Sequence, residues 1–297
     1  MLKYLFTLLS LGVFAQNNYQ LHVLGTVQDA GSPHISCTKS CCSDLSLEAK
    51  SQRKVSCLAI ENKQTGEYYI FDATPDFPAQ IRMVNPHKLP SGIFLTHAHI
   101  GHYTGLMYLG REGLGADKIP VYTMPKMKHF LNTNGPWSQL VALQNIELKE
   151  MANKKSFKLE KDLIVTPFLV PHRDEYSETV GYQISVKGEK ILFIPDINKW
   201  SVWEESIAEK IHDSDLAFVD ATFFDQNEVK RDISEIPHPF VVESMKLFEK
   251  LSKKDKAKVH FIHLNHTNPL LDKESDAYKS VLKNGYKVAE FGQEINF

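Results

Sequence analysis

Thr96-His97-Ala98-His99-Ile100-Gly101-His102 follows directly on the apolar run Ile93-Phe94-Leu95. Three imidazoles on so short a stretch, launched from the end of a strand, can aim at one point, and neutral imidazole is a common donor for zinc and similar ions. Packed together without a shared partner, such rings would carry a desolvation cost. Isolated histidines such as His22 and His129 carry no such implication and read as ordinary core or surface side chains.

Outward from that loop, the same pattern recurs. Asp72 ends the run from Tyr68, His172 follows Phe168-Leu169-Val170-Pro171, Asp196 follows Ile191-Leu192-Phe193-Ile194-Pro195, and His263 closes Val259-His260-Phe261-Ile262. Apolar strands that each deliver an imidazole or a carboxylate at the carboxyl end place a site on one rim of a sheet. The pattern predicts strands over Tyr19–Gly25, Ser56–Glu61, Tyr68–Asp72, Gly92–Thr96, Leu163–Val170, Thr179–Val186, Lys190–Pro195, Leu216–Asp220 and Lys258–Leu264. It predicts helices over Trp200–Ile211, with Ser201 ahead of Glu204 and Glu205 as a capping box, over Pro239–Leu251 with Pro239 in the first turn, and over Asp272–Leu282. Strands alternating with helices in this way imply layered sheets with helices packed outside.

The chain has 297 residues, 42% hydrophobic and 24% charged, and no repeat or linker marks an internal boundary, so one domain over 19–297 is expected. A net charge of -2 from 34 basic and 36 acidic residues gives no field to attract nucleic acid, which leaves a small-molecule substrate. Residues 1–15 read as a signal peptide: a basic start at Lys3, a short apolar run over 4–13 and small residues at Val13-Phe14-Ala15. That run is too short to span a bilayer of about 30 Å, so no membrane anchor is expected and the mature chain is placed outside the cytoplasm, periplasmic or secreted.

An aspartate after a strand, a His-x-His-x-x-His loop, a lone histidine, a second aspartate and a final histidine, in that order, resemble the metallo-β-lactamase superfamily. Within it the chain looks most like the coenzyme PQQ synthesis B proteins and the phosphonate-pathway cyclic phosphodiesterases. The likeness runs through Val23-Leu24-Gly25, Asp72-Ala73-Thr74-Pro75-Asp76, Pro171-His172-Arg173-Asp174-Glu175, Val219-Asp220-Ala221-Thr222-Phe223 and Ile262-His263-Leu264-Asn265-His266. It implies an αββα four-layer sandwich, two mixed β-sheets flanked by helices. It also implies that His97, His99 and His172 hold a first ion, with Asp196 bridging to a second held by His102 and His263. Asp72 would orient a ligand imidazole. Related enzymes are often dimers, so the likeness extends to a homodimer.

One position departs from the family's pattern, which has an aspartate where Gly101 stands. Its loss predicts a weaker second site or a substitute donor such as Asp220 or His238, and leaves one or two catalytic ions open. The PQQ proteins lack the first two histidines of the loop, and this chain keeps His97 and His99, which favours a hydrolase. An ion in such a site lowers the pKa of a bound water from near 15.7 to about 7 and supplies hydroxide at neutral pH. The expected reaction is hydrolysis of a small phosphodiester, linear or cyclic. The alternative is a non-hydrolytic role in making or carrying the quinone cofactor. Arg173 and His238 are candidates to hold an anionic group or protonate a leaving group. Zinc suits the donors, and manganese or iron would also fit them.

Cys37, Cys41 and Cys42 form a second constellation, while Cys57 lies alone in a strand and reads as a small buried hydrophobe. Clustered thiols in an exported protein are either bridged or metallated. The related phosphodiesterases hold a structural zinc with three early cysteines and a histidine three residues past the last catalytic one. Here His266 stands in that relation to His263, so the resemblance implies a Cys37, Cys41, Cys42 and His266 zinc site, with a disulfide as its rival.

Overall fold

The computed structural model describes residues 18–228 and 236–297; the signal segment read over 1–15 lies outside the described residues. In chain order the strands are β1 (Tyr19–Gly25), β2 (Cys57–Asn62), β3 (Tyr68–Phe71), β4 (Gly92–Phe94), β5 (Ile119–Thr123), β6 (Ile146–Glu150), β7 (Phe157–Glu160), β8 (Leu163–Leu169), β9 (Val180–Val186), β10 (Glu189–Ile194), β11 (Leu216–Asp220), β12 (Val259–Ile262), β13 (Lys287–Val288) and β14 (Glu294–Asn296). They form two mixed seven-stranded sheets, β14-β1-β2-β3-β4-β5-β6 and β13-β12-β11-β10-β9-β8-β7.

Strand periodicity sorts the side chains into three apolar layers. In β2, Leu58 and Ile60 enter the layer between the sheets, while Cys57 and Ala59 face the outer helices. In β10, Ile191 and Phe193 point to the middle layer and Leu192 and Ile194 to the opposite helix layer. The outer layers are completed by Phe77, Met127, Leu131 and Leu140 on one side and by Ile207, Ile211, Val241 and Val281 on the other. Full burial of one such side chain is worth about 1.5–3 kcal/mol. This is the expected αββα sandwich. Among the described residues no helix is long and apolar enough to cross a membrane.

Direction is what builds the site. β1 and β3 are each antiparallel to β2, and β4 is parallel to β3, so β1, β3 and β4 end on the same rim. In the second sheet β8 and β10 are each antiparallel to β9, and β11 and β12 run parallel to β10, so these four also share a rim. The segments that leave β1, β3, β4, β8, β10 and β12 carry the residues described below.

Several expected boundaries move. The helix foreseen over 200–211 begins at Ile207; Ser206, not Ser201, caps it by accepting from Glu209 N, and Trp200–Val202 is a separate short 3-10 turn. Pro239 precedes the cap residue Phe240 of a helix over Val241–Leu247. The last long helix starts at Asp276, capped by Ser275. β5, β6, β7, β13 and β14 have no counterpart among the expected strands; Pro120 interrupts β5, and Glu147, Lys149 and Glu150 disguise β6.

His260 in β12 gives a pH prediction. It is 1% exposed, stacks on Phe218 at 4.8 Å and sits 2.9 Å from the carbonyl of Lys258. Burial, with Lys287 adding repulsion, pushes its pKa down to about 4 from the usual 6.5. The unfolded chain therefore binds this proton first, so the stability His260 contributes is full above about pH 6.5 and is lost as pH falls towards 4. His260→Phe, which keeps the stack, should flatten the fall in unfolding free energy between pH 7.5 and pH 5 by about 2 kcal/mol in denaturant titrations. Parallel pH slopes for the two proteins would show that the fold does not depress the His260 pKa.

Candidate metal centre

Two buried aspartates carry hydroxyl relays that set the imidazoles. Asp72, fully buried, accepts from Thr96 N at 2.8 Å, from Thr96 Oγ1 at 2.9 Å and from His102 Nδ1 at 2.7 Å. Thr96 Oγ1, having given its proton to the carboxylate, can accept from His97 Nδ1 at 2.9 Å. In the other sheet Asp220 accepts from Thr222 Oγ1 at 2.7 Å, and that oxygen faces His263 Nδ1 at 2.9 Å. Asp72 and His263 both hold positive φ, 72° and 67°. Left-handed backbone at a non-glycine residue costs of order 1–3 kcal/mol and persists where surrounding contacts enforce it.

These relays fix which nitrogens face inward. A neutral imidazole has one N–H. That of His97 goes to Thr96, that of His99 to Glu175 Oε2 at 3.0 Å from its Nε2, and that of His172 to Asn198 Oδ1 at 3.2 Å from its Nδ1. The remaining nitrogens are lone pairs turned on one another: His97 Nε2 and His99 Nδ1 are 2.8 Å apart, and His172 Nε2 and His99 Nδ1 3.2 Å. Asp196 Oδ2 joins them, 3.3 Å from His97 Nε2 and 3.2 Å from His172 Nε2. Donors about 2.0–2.2 Å from a tetrahedral ion stand about 3.3–3.6 Å from each other. Facing lone pairs repel, so this quartet fits a cation among them. The second oxygen, Asp196 Oδ1, is buried and accepts no hydrogen bond, which again leaves capacity for an ion.

A second quartet shares Asp196. It is made of Asp29, His102, Asp196 and His263, whose donor atoms all lie within 4.8 Å of one another. Asp29 Oδ1 is 3.0 Å from His102 Nε2 and 3.1 Å from His263 Nε2, with Asp196 Oδ2 at 3.9 and 4.0 Å from the same nitrogens. Asp220 and His238, foreseen as substitute donors, converge on Asp196 in a group of their own, apart from His102 and His263. Asp220 is taken up by Thr222, by Ile197 N at 3.1 Å and by His238 Nδ1 at 2.9 Å. Asp29 escaped notice because nothing in its local sequence resembles a ligand motif. Its signal was position: it follows β1 just as the other donors follow their strands.

Charge within the centre is strongly coupled. Burial pushes His97 and His99 below the usual imidazole range, so both are neutral and ready to donate. Burial also draws His102 down, but Asp29 and Asp72 outweigh it and hold the ring protonated well above its usual range. An ion entering the second quartet must displace that proton, so uptake there weakens as pH falls. Desolvation raises Asp196, yet the surrounding imidazoles, the protonated His238 among them, outweigh it and keep its carboxylate ionised.

His238 stands 3.2 Å from Asp196 Oδ1 and lines a cavity of about 580 Å³ beside the centre, together with Arg173, Lys39 and His34. Arg173 is largely exposed, with Glu175 Oε1 at 3.9 Å from its guanidinium. The structure therefore gathers His97, His99, His102, His172, Asp196, His263, Asp72 and His238 at one rim and puts Arg173 at its mouth.

Cys37, Cys41, Cys42 and His266 also converge, their donor atoms within 4.8 Å of one another, and all the cysteines are free thiols. Cys41 Sγ and Cys42 Sγ are 4.0 Å apart. Cys57 is buried in β2, as its surroundings in sequence implied.

Residues 67–261 match the family model described as the beta-lactamase superfamily domain. Coenzyme PQQ synthesis protein B of Acinetobacter baumannii (strain AYE) is 23% identical over 93% of this chain and 99% of its own length. Its namesake in Pseudomonas savastanoi pv. phaseolicola is 26% identical over the same shares. Among solved structures, Zn(2+)-bound PqqB from Methylobacterium extorquens superposes with a TM-score of 0.78 at 22% identity, over 94% of this chain and 100% of that one. A diphosphatase from the PhnP family gives 0.63 at 23% identity, over 94% and 97%. At such identities the superpositions speak for the fold.

Proposed function

The chain belongs to the beta-lactamase superfamily, and from that premise we propose that it is a metal-dependent hydrolase acting on a small phosphodiester. The observation that carries this reading is the ring of inward lone pairs from His97, His99 and His172 around Asp196. Ions held by the two quartets would supply Lewis acidity and an acidified water. Zinc is the favoured ion, in keeping with the donor types and with the zinc named in the PqqB structure. The proposal includes a third, structural zinc in the Cys37, Cys41, Cys42 and His266 cluster. It also includes export after loss of residues 1–15.

The chain's own groups divide the remaining work. Burial depresses His238, but Asp220 and Asp196 outweigh it and raise its pKa to about 9, so it carries a proton at neutral pH. Its Nδ1 is tied to Asp220, which leaves the Nε2 proton for a leaving-group oxygen in the cavity it lines. Arg173 and Lys39 on the same cavity offer positive charge to a phosphoryl oxygen. Asp72 and Thr96 keep His97 and His102 turned inward.

Protein loaded with zinc or manganese should hydrolyse bis(p-nitrophenyl) phosphate, lose that activity to a chelator and regain it on reloading. A second reading draws on the two PQQ synthesis relatives: a non-hydrolytic part in forming or carrying that cofactor. Fully loaded protein inert towards linear and cyclic phosphodiesters alike would favour it over hydrolysis.

A further inference from the structure

Gly101 lies between two ligand-bearing residues of the loop, and the space a side chain would need there is already filled. A Cβ built on it would stand 2.6 Å from Asp29 Cα and 2.7 Å from both Cγ and Oδ1 of Asp29. No side chain fits at position 101 while Asp29 occupies that place.

We propose that Asp29, carried on the segment after β1 and admitted by the missing side chain at Gly101, is a ligand of the second ion. This rests on the reading of the rim as an ion-binding centre. The site thus keeps its donor count although the loop has lost one; the carboxylate arrives from a different part of the chain. Asp29 Oδ1 is 3.0 and 3.1 Å from the inward nitrogens of His102 and His263. Its side chain is only 10% exposed, and a carboxylate taken that far from water needs counter-charge.

The delivery is specific. Val27 bridges both Val55 and Leu264, Gln28 N donates to Leu264 O at 2.9 Å, and Leu264 N donates to Thr26 O at 2.8 Å. The residue after His263 is therefore stitched to the residues before Asp29, so the two donors are presented as one unit. Gly25, where β1 is bulged, is needed for that path, since a Cβ there would meet Val55 O at 2.0 Å.

The test is stepwise zinc titration against a competing chelator, with elemental analysis, on the full mature chain and on Asp29→Asn. Wild type should fill two steps at the rim. Asp29→Asn should keep the first and weaken the second by about 100-fold or more, beyond the 10- to 100-fold usual for a lost supporting partner. Two unchanged steps in the variant, or only one in wild type, would overturn the proposal. Should Asp29→Asn not fold, Asp29→Cys loaded with cobalt(II) is read instead, as a difference from wild type loaded alike. An added thiolate-to-cobalt absorption band supports contact with the ion, and its absence overturns it. Neither readout involves turnover, so a chain with two zinc steps and no phosphodiesterase activity would end the hydrolase reading and leave this one standing.

Discussion

Asp196→Ala is expected to remove ions from both quartets and to lower turnover of bis(p-nitrophenyl) phosphate by at least about 10³-fold, roughly 4 kcal/mol of barrier. No other side chain belongs to both sets. Its Oδ2 lies within 3.2–4.0 Å of the inward nitrogens of His97, His172, His102 and His263, and Oδ1 faces His238 at 3.2 Å. Without it the first quartet is three neutral imidazoles, which bind a dication without charge compensation, and the second keeps Asp29 alone. His238 also loses one of the two carboxylates that hold its proton, so the residual activity should favour lower pH than wild type. Elemental analysis and the pH profile of kcat check both parts. Two ions retained at wild-type affinity would show that the centre is not built around Asp196.

The strands that matter most for the site were legible because they are simple. Tyr19–Gly25 and Leu216–Asp220 are apolar runs bounded by turn residues, and their limits in the structure are those read from the sequence. The family likeness and the layered fold followed from the order of polar residues after such runs, and the beta-lactamase superfamily match over 67–261 bears them out. What the sequence hid were relations between distant segments. Thr96 and Thr222 look like ordinary strand-end threonines until each is seen between a ring and a buried aspartate. Asp29 lies 72 positions before Gly101, and no spacing rule links a carboxylate in one loop to the absence of a Cβ in another. The helix boundaries slipped for a different reason: Ser201 and Ser206 are both plausible caps, and only packing of Ile207 and Ile211 on the sheet chooses between them.

The segment between Asp29 and β2 has almost nothing apolar to hold it. Its helix over Leu47–Gln52 has no buried residue, the one over Ser40–Ser43 buries only Cys42, and Ile35 and Leu47 are more than 80% exposed. Ordering such backbone costs about 1–2 kcal/mol per residue. Arg53 ties it together, donating to Ser32 Oγ at 2.9 Å and to the Cys41 carbonyl at 3.4 Å, and reaches the rest of the fold at Leu271 O, 3.5 Å away. A zinc in the Cys37, Cys41, Cys42 and His266 cluster would supply far more, since structural sites of this type contribute about 10–16 kcal/mol to folding in small peptides. Cys42→Ser should therefore cost one ion per chain and open residues 30–52 to limited proteolysis, with the sandwich itself still resistant. The consequence should also reach the rim. The cluster joins this segment to His266, three residues past His263, so its loss frees the stretch that delivers Asp29, and the second zinc step at the rim should weaken along with it. A disulfide would behave otherwise: the wild-type mass would be lower by two hydrogens, no third ion would be found, and a chelator would leave residues 30–52 protected. Proteolysis, intact mass and ion counting on the same preparation separate the two, and protection that survives the chelator with three thiols still free would rule out both forms of clamp.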